Sequence, residues 1–463
     1  MKPTLHAPTT LLKRSKWVVL ALVTTIYSCR DSNNGEPVTP TNPSKSANTF
    51  LGDLATKWAD LDLKLIRNSA GFTPPVAARA LGYSGLVMYE SIVAGIPENQ
   101  SLAGQLNGLK DLPKIEANKE YNWAISFNAG QWFIAKNIWP NANEAAKKSV
   151  DSLGTALRDA LKMGTDADVV TRSEAYGEAV AKAIFEWSKT DGGHEGFNRN
   201  FPTTYKVPVC AGCWQPTENG RQIPLQPFWG RNRTFIASNA TLPMPPPLPV
   251  STQITSDYFK QYMAVYQKNI KLTQEEKEIA VWWADDPSET FTPPGHSFNL
   301  ATIAIRSTNA NLAKAAETYA RTGLAVSDAF VVCWKCKYSF NNERPYTFVR
   351  RAINPSWIPF WPAPPFPGYT SGHATQSSAS ATVLESLYGT NFAFVDNSHV
   401  GRGRDTKRNV DFKARSFKSF REAAEESAYS RFLGGIHTAQ DNDTGLVEGR
   451  KIGATINALK WKK

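Results

Sequence analysis

Apolar residues recur along most of this chain at the three-and-four spacing of a helix buried on one side. Val150, Leu153, Leu157 and Leu161 form one such stripe, and Val170, Ser173, Gly177, Val180, Ile184 and Trp187 another. Thr73 followed by Pro74 and Pro75 predicts an N-cap with prolines in the first turn, opening a helix to about Ala94. Thr273 and Glu276 have capping-box spacing for a helix reaching Trp283, which Asp285-Asp286-Pro287 ends. A long helix is expected from Thr292-Pro293-Pro294-Gly295-His296 to about Thr322. Another should start near Ala325, with Asp328 in its first turn where a carboxylate suits the dipole. Periodicity returns after His373 through Ala374, Ser378, Ala381 and Val383, and a last helix is expected from about Asn442 to Lys460. Between Asp191 and Thr252 it vanishes. So long a stretch without regular structure, rich in proline and aromatic residues, predicts a packed cover that could form one side of a substrate entrance. No alternating runs of useful length and no parallel βαβ pattern occur, so the fold class is all-α with long loops.

The first 28 residues carry four cations and no acid, with Lys13, Arg14 and Lys16 before an apolar run from Trp17 to Ile26. That run is too short to span a bilayer and suits a signal peptide. It ends at Ile26-Tyr27-Ser28-Cys29, which resembles a bacterial lipobox, so Cys29 is expected to be lipidated and to anchor an exported protein to a membrane, with an ordinary signal cleavage as the alternative. Residues 29–47, mostly Asn, Pro, Ser and Thr, read as a flexible tether, and 48–463 as the helical domain. Net charge is +11, or +7 without the leader. No Lys/Arg stripe with interleaved aromatics accompanies it, so attraction of small anions is favoured over nucleic-acid binding. Cys210 and Cys213, with Cys333 and Cys336, are expected to form disulfides in an exported chain, in any of three pairings, with a four-thiolate zinc site as the alternative.

Candidate chemistry concentrates in residues 325–463. Lys337 and Arg344 are seven apart, which on one helix would aim both cations at the same small anion. A loop with six prolines and two tryptophans, from Ala352 to Tyr369, forms a stiff wall before Thr370-Ser371-Gly372-His373. There a hydroxyl, an unhindered backbone N–H and an imidazole meet the start of a helix, where aligned amides favour an anion. Further on, Ser430-Arg431 precedes Gly434-Gly435-Ile436-His437 and then Asp441. The glycine pair lets the chain break and swing His437 back towards Arg431. Asp285 or Asp286 could pair with one of the arginines or merely end a helix. His296 could cap, pack or line the pocket.

These three segments resemble the tripartite signature of the vanadium-dependent haloperoxidases and type 2 phosphatidic acid phosphatases, K-x6-R-P, P-S-G-H and S-R-x3-G-x-H-x3-D, with Thr370 in place of the proline. The surroundings look like exported bacterial haloperoxidases, the iodoperoxidases in particular. The resemblance implies a haloperoxidase-type helical bundle and a vanadate cofactor bound through His437. Lys337, Arg344 and Arg431 would neutralise its oxygens, Ser371 and the Gly372 N–H would complete the cradle, and His373 would move a proton. Asp441 would fix the His437 tautomer, with Trp334 and Ser378 tuning the surroundings. The implied reaction is oxidation of halide, iodide first and bromide second, by hydrogen peroxide to hypohalous acid, with small organic acceptors downstream. A phosphatase acting through a phosphohistidine at His437 is the alternative on the same motif. From another class comes a lipid-tethered surface protein that only binds an anion or a partner.

Overall fold

The computed structural model describes residues 43–218 and 220–463. The leader, Cys29 and most of the expected tether lie outside the described residues. Contacts with the domain begin a little before Asn48: the Ser44 hydroxyl accepts the Tyr121 N–H at 2.8 Å, and Ala47 is buried.

The described residues form the expected helical array. Its helices are α1 (Asp53–Asn68), α2 (Pro74–Glu90), α3 (Trp123–Ile138), α4 (Glu144–Leu161), α5 (Ala167–Ser188), α6 (Asp257–Asn269) and α7 (Gln274–Trp282). They continue with α8 (Thr292–Ser307), α9 (Leu312–Phe340), α10 (Pro345–Ala352), α11 (Gly372–Tyr388), α12 (Phe420–Leu433) and α13 (Ala439–Asn457). One short antiparallel pair, β1 (Phe394–Asp396) and β2 (Arg415–Phe417), is too brief for a periodicity argument to have found.

At 29 residues α9 is the longest helix, about 43 Å at 1.5 Å per residue, and α2, α8, α11 and α13 pack against it. It starts well before Ala325. The Asn311 side chain caps it by accepting the Lys314 N–H, and α8 correspondingly stops at Ser307 rather than near Thr322. Thr322-Gly323 is no break. A Cβ on Gly323 would lie 2.5 Å from the Leu81 carbonyl oxygen, so the glycine lets α2 and α9 cross in contact. Asp328 is therefore in mid-helix, not in a first turn. Its carboxylate accepts from the Phe235 N–H at 2.6 Å, the Ile236 N–H at 3.0 Å and the Asn239 amide at 2.8 Å.

Those bonds strap the irregular stretch onto α9. Apart from short 3-10 turns its described residues have no regular structure, and its Leu225 carbonyl accepts from the Trp334 indole and the Tyr338 hydroxyl. The cysteines divide. Cys210 and Cys213 are paired, while Cys333 and Cys336 are free, buried thiols inside α9. A four-thiolate zinc site is thereby excluded, and no bridge stiffens the helix beside Lys337. Cys333 donates instead to the Thr370 carbonyl at 3.5 Å.

The packing of α13 on α11 brings the chemistry-bearing segments together. Gly449 faces the Thr375 carbonyl, where a Cβ would be only 2.2 Å away, and Gly445 and Gly453 continue the stripe one turn to either side. Close approach of the two helices sets their N-termini side by side. Ser378 belongs to this interface, donating to the Leu446 carbonyl at 2.8 Å, and so joins helices rather than tuning the anion pocket.

Candidate functional site

Lys337 and Arg344 do not share a helix. α9 ends when Asn341 turns left-handed at φ 48°, and Arg344, extended, is the N-cap residue of α10. The Pro-rich loop nonetheless gathers both cations. Lys337 Nζ donates to the carbonyls of Pro367 at 2.9 Å and Gly368 at 2.8 Å. Arg344 donates from Nε to the Phe366 carbonyl at 2.7 Å and from a terminal nitrogen to the Ile436 carbonyl at 2.8 Å. The Phe366 ring lies beneath both, 5.2 Å from the lysine nitrogen and 4.8 Å from the guanidinium carbon. The third cation, Arg431 near the end of α12, donates to the Trp283 carbonyl at 3.3 Å, and its Nε is buried without a partner.

All three side chains are buried, and among the described residues none forms an ion pair. Burial pushes Lys337 down to about 8, Arg344 to about 9 and Arg431 to about 10. The carboxylates that offset this burial are Asp441 for Lys337 and Arg344, and Asp286 and then Asp285 for Arg431. The sequence left open which aspartate faces an arginine. Asp286 faces Arg431 through space, while Asp285 is taken by His296 and His399.

His437 stands at the centre of the cations. The glycine pair ends α12, with Gly435 at φ 74°, and returns the chain into α13. His437 Nδ1 is 2.9 Å from an Asp441 oxygen that also accepts the Thr438 N–H at 3.2 Å, closing the capping box of α13. One carboxylate thus caps the helix and takes the Nδ1 proton, which leaves a lone pair on Nε2, 3.4 Å from Arg344. Burial, then Arg344, Lys337 and Arg431, hold the ring well below the ordinary histidine range, so it is neutral.

His373, in the first turn of α11, makes its Nε2 contact with the Trp283 carbonyl at 2.8 Å. A carbonyl only accepts, so the proton sits on Nε2 and Nδ1 is the basic nitrogen. Burial and Arg431 keep this ring neutral too. Ser371 is the N-cap of α11, its hydroxyl 3.4 Å from the Ala374 N–H, and its own N–H donates to the Asp441 carbonyl at 2.9 Å. Trp334 backs Gly372: a Cβ there would rest 3.5 Å from the indole, which packs between Phe330 and Phe366.

Two contributors carried no signal as side-chain types. One is the run of carbonyls from Phe366 to Gly368 that orients Lys337 and Arg344. The other is the Trp283 carbonyl, shared by His373 and Arg431. The first could have been inferred, since a stiff loop joining two anion-binding motifs must pass the cations. The second depends on a contact between the turn after α7 and α11 that periodicity does not encode.

Taken together, three buried cations and the neutral His373 act on the neutral His437 ring, where a bond from the Ser371 N–H to the Asp441 carbonyl joins the N-termini of α11 and α13. A compact oxyanion is the species that supplies the missing negative charge and accepts from these donors.

Residues 317–460 match the family model of the VCPO second helical-bundle domain. Vanadium chloroperoxidase of Curvularia inaequalis is 26% identical over 396 residues, 72% of this chain and 63% of that protein's length. The crystal structure of the first bacterial vanadium-dependent iodoperoxidase superposes with a TM-score of 0.79 at 32% identity, covering 89% of this chain and 97% of that one. A bacterial vanadium-dependent chloroperoxidase in its holo form gives a TM-score of 0.64 at 16% identity, covering 85% and 93%, a likeness of fold alone.

Proposed function

Because this chain belongs to the vanadium-dependent haloperoxidases, we propose that its cation-lined pocket holds vanadate and uses hydrogen peroxide to oxidise halide to hypohalous acid, with iodide the preferred halide. The observation that carries this reading is the neutral His437 ring, with a lone pair on Nε2, among three buried cations that lack carboxylate partners. The unpartnered Arg431 Nε fits the same oxyanion. Vanadate bound there supplies a Lewis-acidic metal that activates peroxide towards halide without needing to change oxidation state.

In this reading His437 Nε2 is the protein ligand to the metal, and Asp441 keeps its proton on Nδ1. Lys337, Arg344 and Arg431 neutralise the oxygens, and the Ser371 hydroxyl and Gly372 N–H complete the cradle. His373 accepts a proton at Nδ1 and returns it. Trp334 and Phe366 keep the floor dry, which strengthens every charge interaction above them. Iodide preference is supported by the 32% likeness to the bacterial iodoperoxidase over nearly its whole length.

The test is purified protein loaded with vanadate and given hydrogen peroxide with iodide or bromide, beside a phenyl phosphate assay without vanadate. Iodide oxidation that orthophosphate suppresses is expected. Turnover of the phosphate ester, inhibited by vanadate and without halogenation, would establish the phosphatase alternative instead.

We also infer that the chain is exported and anchored at a bacterial membrane, most simply the outer one, through lipid on Cys29. The basic and apolar leader supports this, as does the Cys210–Cys213 pair, at home in an oxidising compartment. Expression in a bacterium fed radiolabelled palmitate should label the wild-type protein and leave a Cys29→Ser variant unlabelled. Equal labelling of both would sink the inference.

A further inference from the structure

Behind the Trp283 carbonyl lies a buried chain of four ionisable side chains with no part yet assigned to it. His296 is held between two carboxylates, its Nδ1 2.8 Å from Asp285 and its Nε2 2.8 Å from Asp396. The other Asp285 oxygen is 3.0 Å from His399 Nε2. All four residues are essentially inaccessible, and Asp396 is further bonded to the Trp282 indole at 2.9 Å and the Ser398 N–H at 3.0 Å. Two carboxylates enclosed this deeply require positive charge beside them. Burial pulls the His296 ring down, but Asp285 and Asp396 outweigh it and push it up to about 10, so this imidazole is charged where His373 and His437 are neutral.

The chain grips the turn after α7. Asp285 is a non-glycine residue in the left-handed region, at φ 50°, where side-chain contacts must hold the backbone. His296 Nδ1 is bonded to one of its oxygens, the other lies 3.0 Å from His399 Nε2 without hydrogen-bond alignment, and the His296 ring also stacks on Trp283 with centroids 4.4 Å apart and planes 21° apart. The far edge of that indole donates to Glu426 at 2.9 Å. Trp283 is thus clamped from a face and an edge. Its main-chain oxygen is the atom that holds His373 and Arg431, and Asp286, in the same turn, faces Arg431.

We propose that Asp396, His296, Asp285 and His399 form a positioning device that aims the Trp283 carbonyl, fixing the His373 tautomer and the direction of the Arg431 guanidinium. Asp285, His296 and His399 also present ligand atoms within 4.8 Å of one another. Yet Asp285 already lies 2.8 Å from His296 Nδ1, in hydrogen-bond alignment and so where an ion would have to sit, and the geometry favours a proton there over a metal.

The inference rests on the haloperoxidase reading for its consequence in catalysis but not for its structural readout. His296→Phe keeps an aromatic ring against Trp283 and removes both hydrogen bonds. Asp285→Asn keeps a polar partner and serves as the conservative comparison. In wild-type apo-protein the imidazole 15N spectrum should report His373 as the Nε2–H tautomer. In folded His296→Phe it should become a tautomer mixture, vanadate affinity should weaken at least tenfold, and kcat for iodide should fall at least tenfold with KM within twofold. Asp285→Asn should move each readout in the same direction by a smaller amount, its His373 spectrum part of the way to a mixture.

A folded His296→Phe with the wild-type 15N spectrum, and vanadate affinity within twofold, would overturn the proposal. If His296→Phe does not fold, Asp285→Asn decides alone, by whether its His373 spectrum moves part of the way to a mixture or stays unchanged. Stoichiometric zinc or another transition metal in the wild type, lost in either variant, would overturn it in favour of a metal site. Absence of vanadate binding by the wild type would refute the functional reading and leave the 15N result to judge the positioning role.

Discussion

A His437→Ala protein is expected to lose peroxide-dependent iodide oxidation by at least about a thousandfold, some 4 kcal/mol of transition-state stabilisation, while remaining folded. No other side chain offers the same ligand. His373 presents Nδ1, but its Nε2 is committed to the Trp283 carbonyl, and the three cations have no lone pair to give. The fold should survive because Asp441 still caps α13 through the Thr438 N–H, and the Ser371 N–H still bonds the Asp441 carbonyl. Thermal unfolding of the empty protein should shift by only a few degrees. Vanadate should bind more weakly without being abolished, since Lys337, Arg344 and Arg431 still attract it. Turnover by the variant within tenfold of wild type would remove His437 from the reaction.

An Asp441→Asn substitution divides that effect. An asparagine can still accept the Nδ1 proton through its carbonyl oxygen, but it no longer balances the cations. An intermediate loss of activity distinguishes a residue that fixes a tautomer from one that merely caps a helix.

The helical character of the chain was legible in the sequence, and so were the candidate residues that the structure brings near His437, because each rests on local patterns. Helix existence follows from three-and-four spacing, and the residues proposed to hold the anion fall in short motifs whose internal spacing is chemical. Boundaries were less legible. The start of α9 depended on whether Thr322-Gly323 ended a helix or let one cross another, and only the Leu81 carbonyl pressed against Gly323 decides that. The shared face inferred for Lys337 and Arg344 failed for a related reason. Asn341 ends α9 between them, and tertiary packing, not helical phase, brings the two cations together. Ser378 carried the same hydroxyl as Ser371 and lay about two turns further along, yet its side chain was claimed by α13. His296, ambiguous as a capping, packing or lining group, turned out to have carboxylate partners 11 and 100 positions away in the chain. Contacts at that separation leave no periodic trace.

Lys337→Met should weaken vanadate binding about a hundredfold near neutral pH and change how binding responds to pH. In the empty pocket burial lowers Lys337 to about 8, against 10.5 for the free side chain, so below pH 8 it is charged and ready for an oxyanion. Above pH 8 the empty protein sheds that proton, and binding must take one back. Affinity relative to Lys337→Met should therefore fall by up to tenfold per pH unit from about 8 upward, until the occupied pocket loses the proton as well. Comparison with the variant is essential because protonation of the oxide itself is common to both proteins. Stability follows the opposite course. The folded state holds this proton less tightly than the unfolded chain does, so the empty wild type should gain stability between about pH 8 and 10.5 as a penalty of roughly 3 kcal/mol is relieved. Methionine has no such penalty, though it leaves the Pro367 and Gly368 carbonyls without their donor and forfeits part of the gain. At one fixed vanadate concentration the wild-type melting temperature should rise most below pH 8, and that of Lys337→Met should rise less. If the two proteins show parallel affinity profiles from pH 7 to 10, Lys337 is not the proton-linked cation of this pocket.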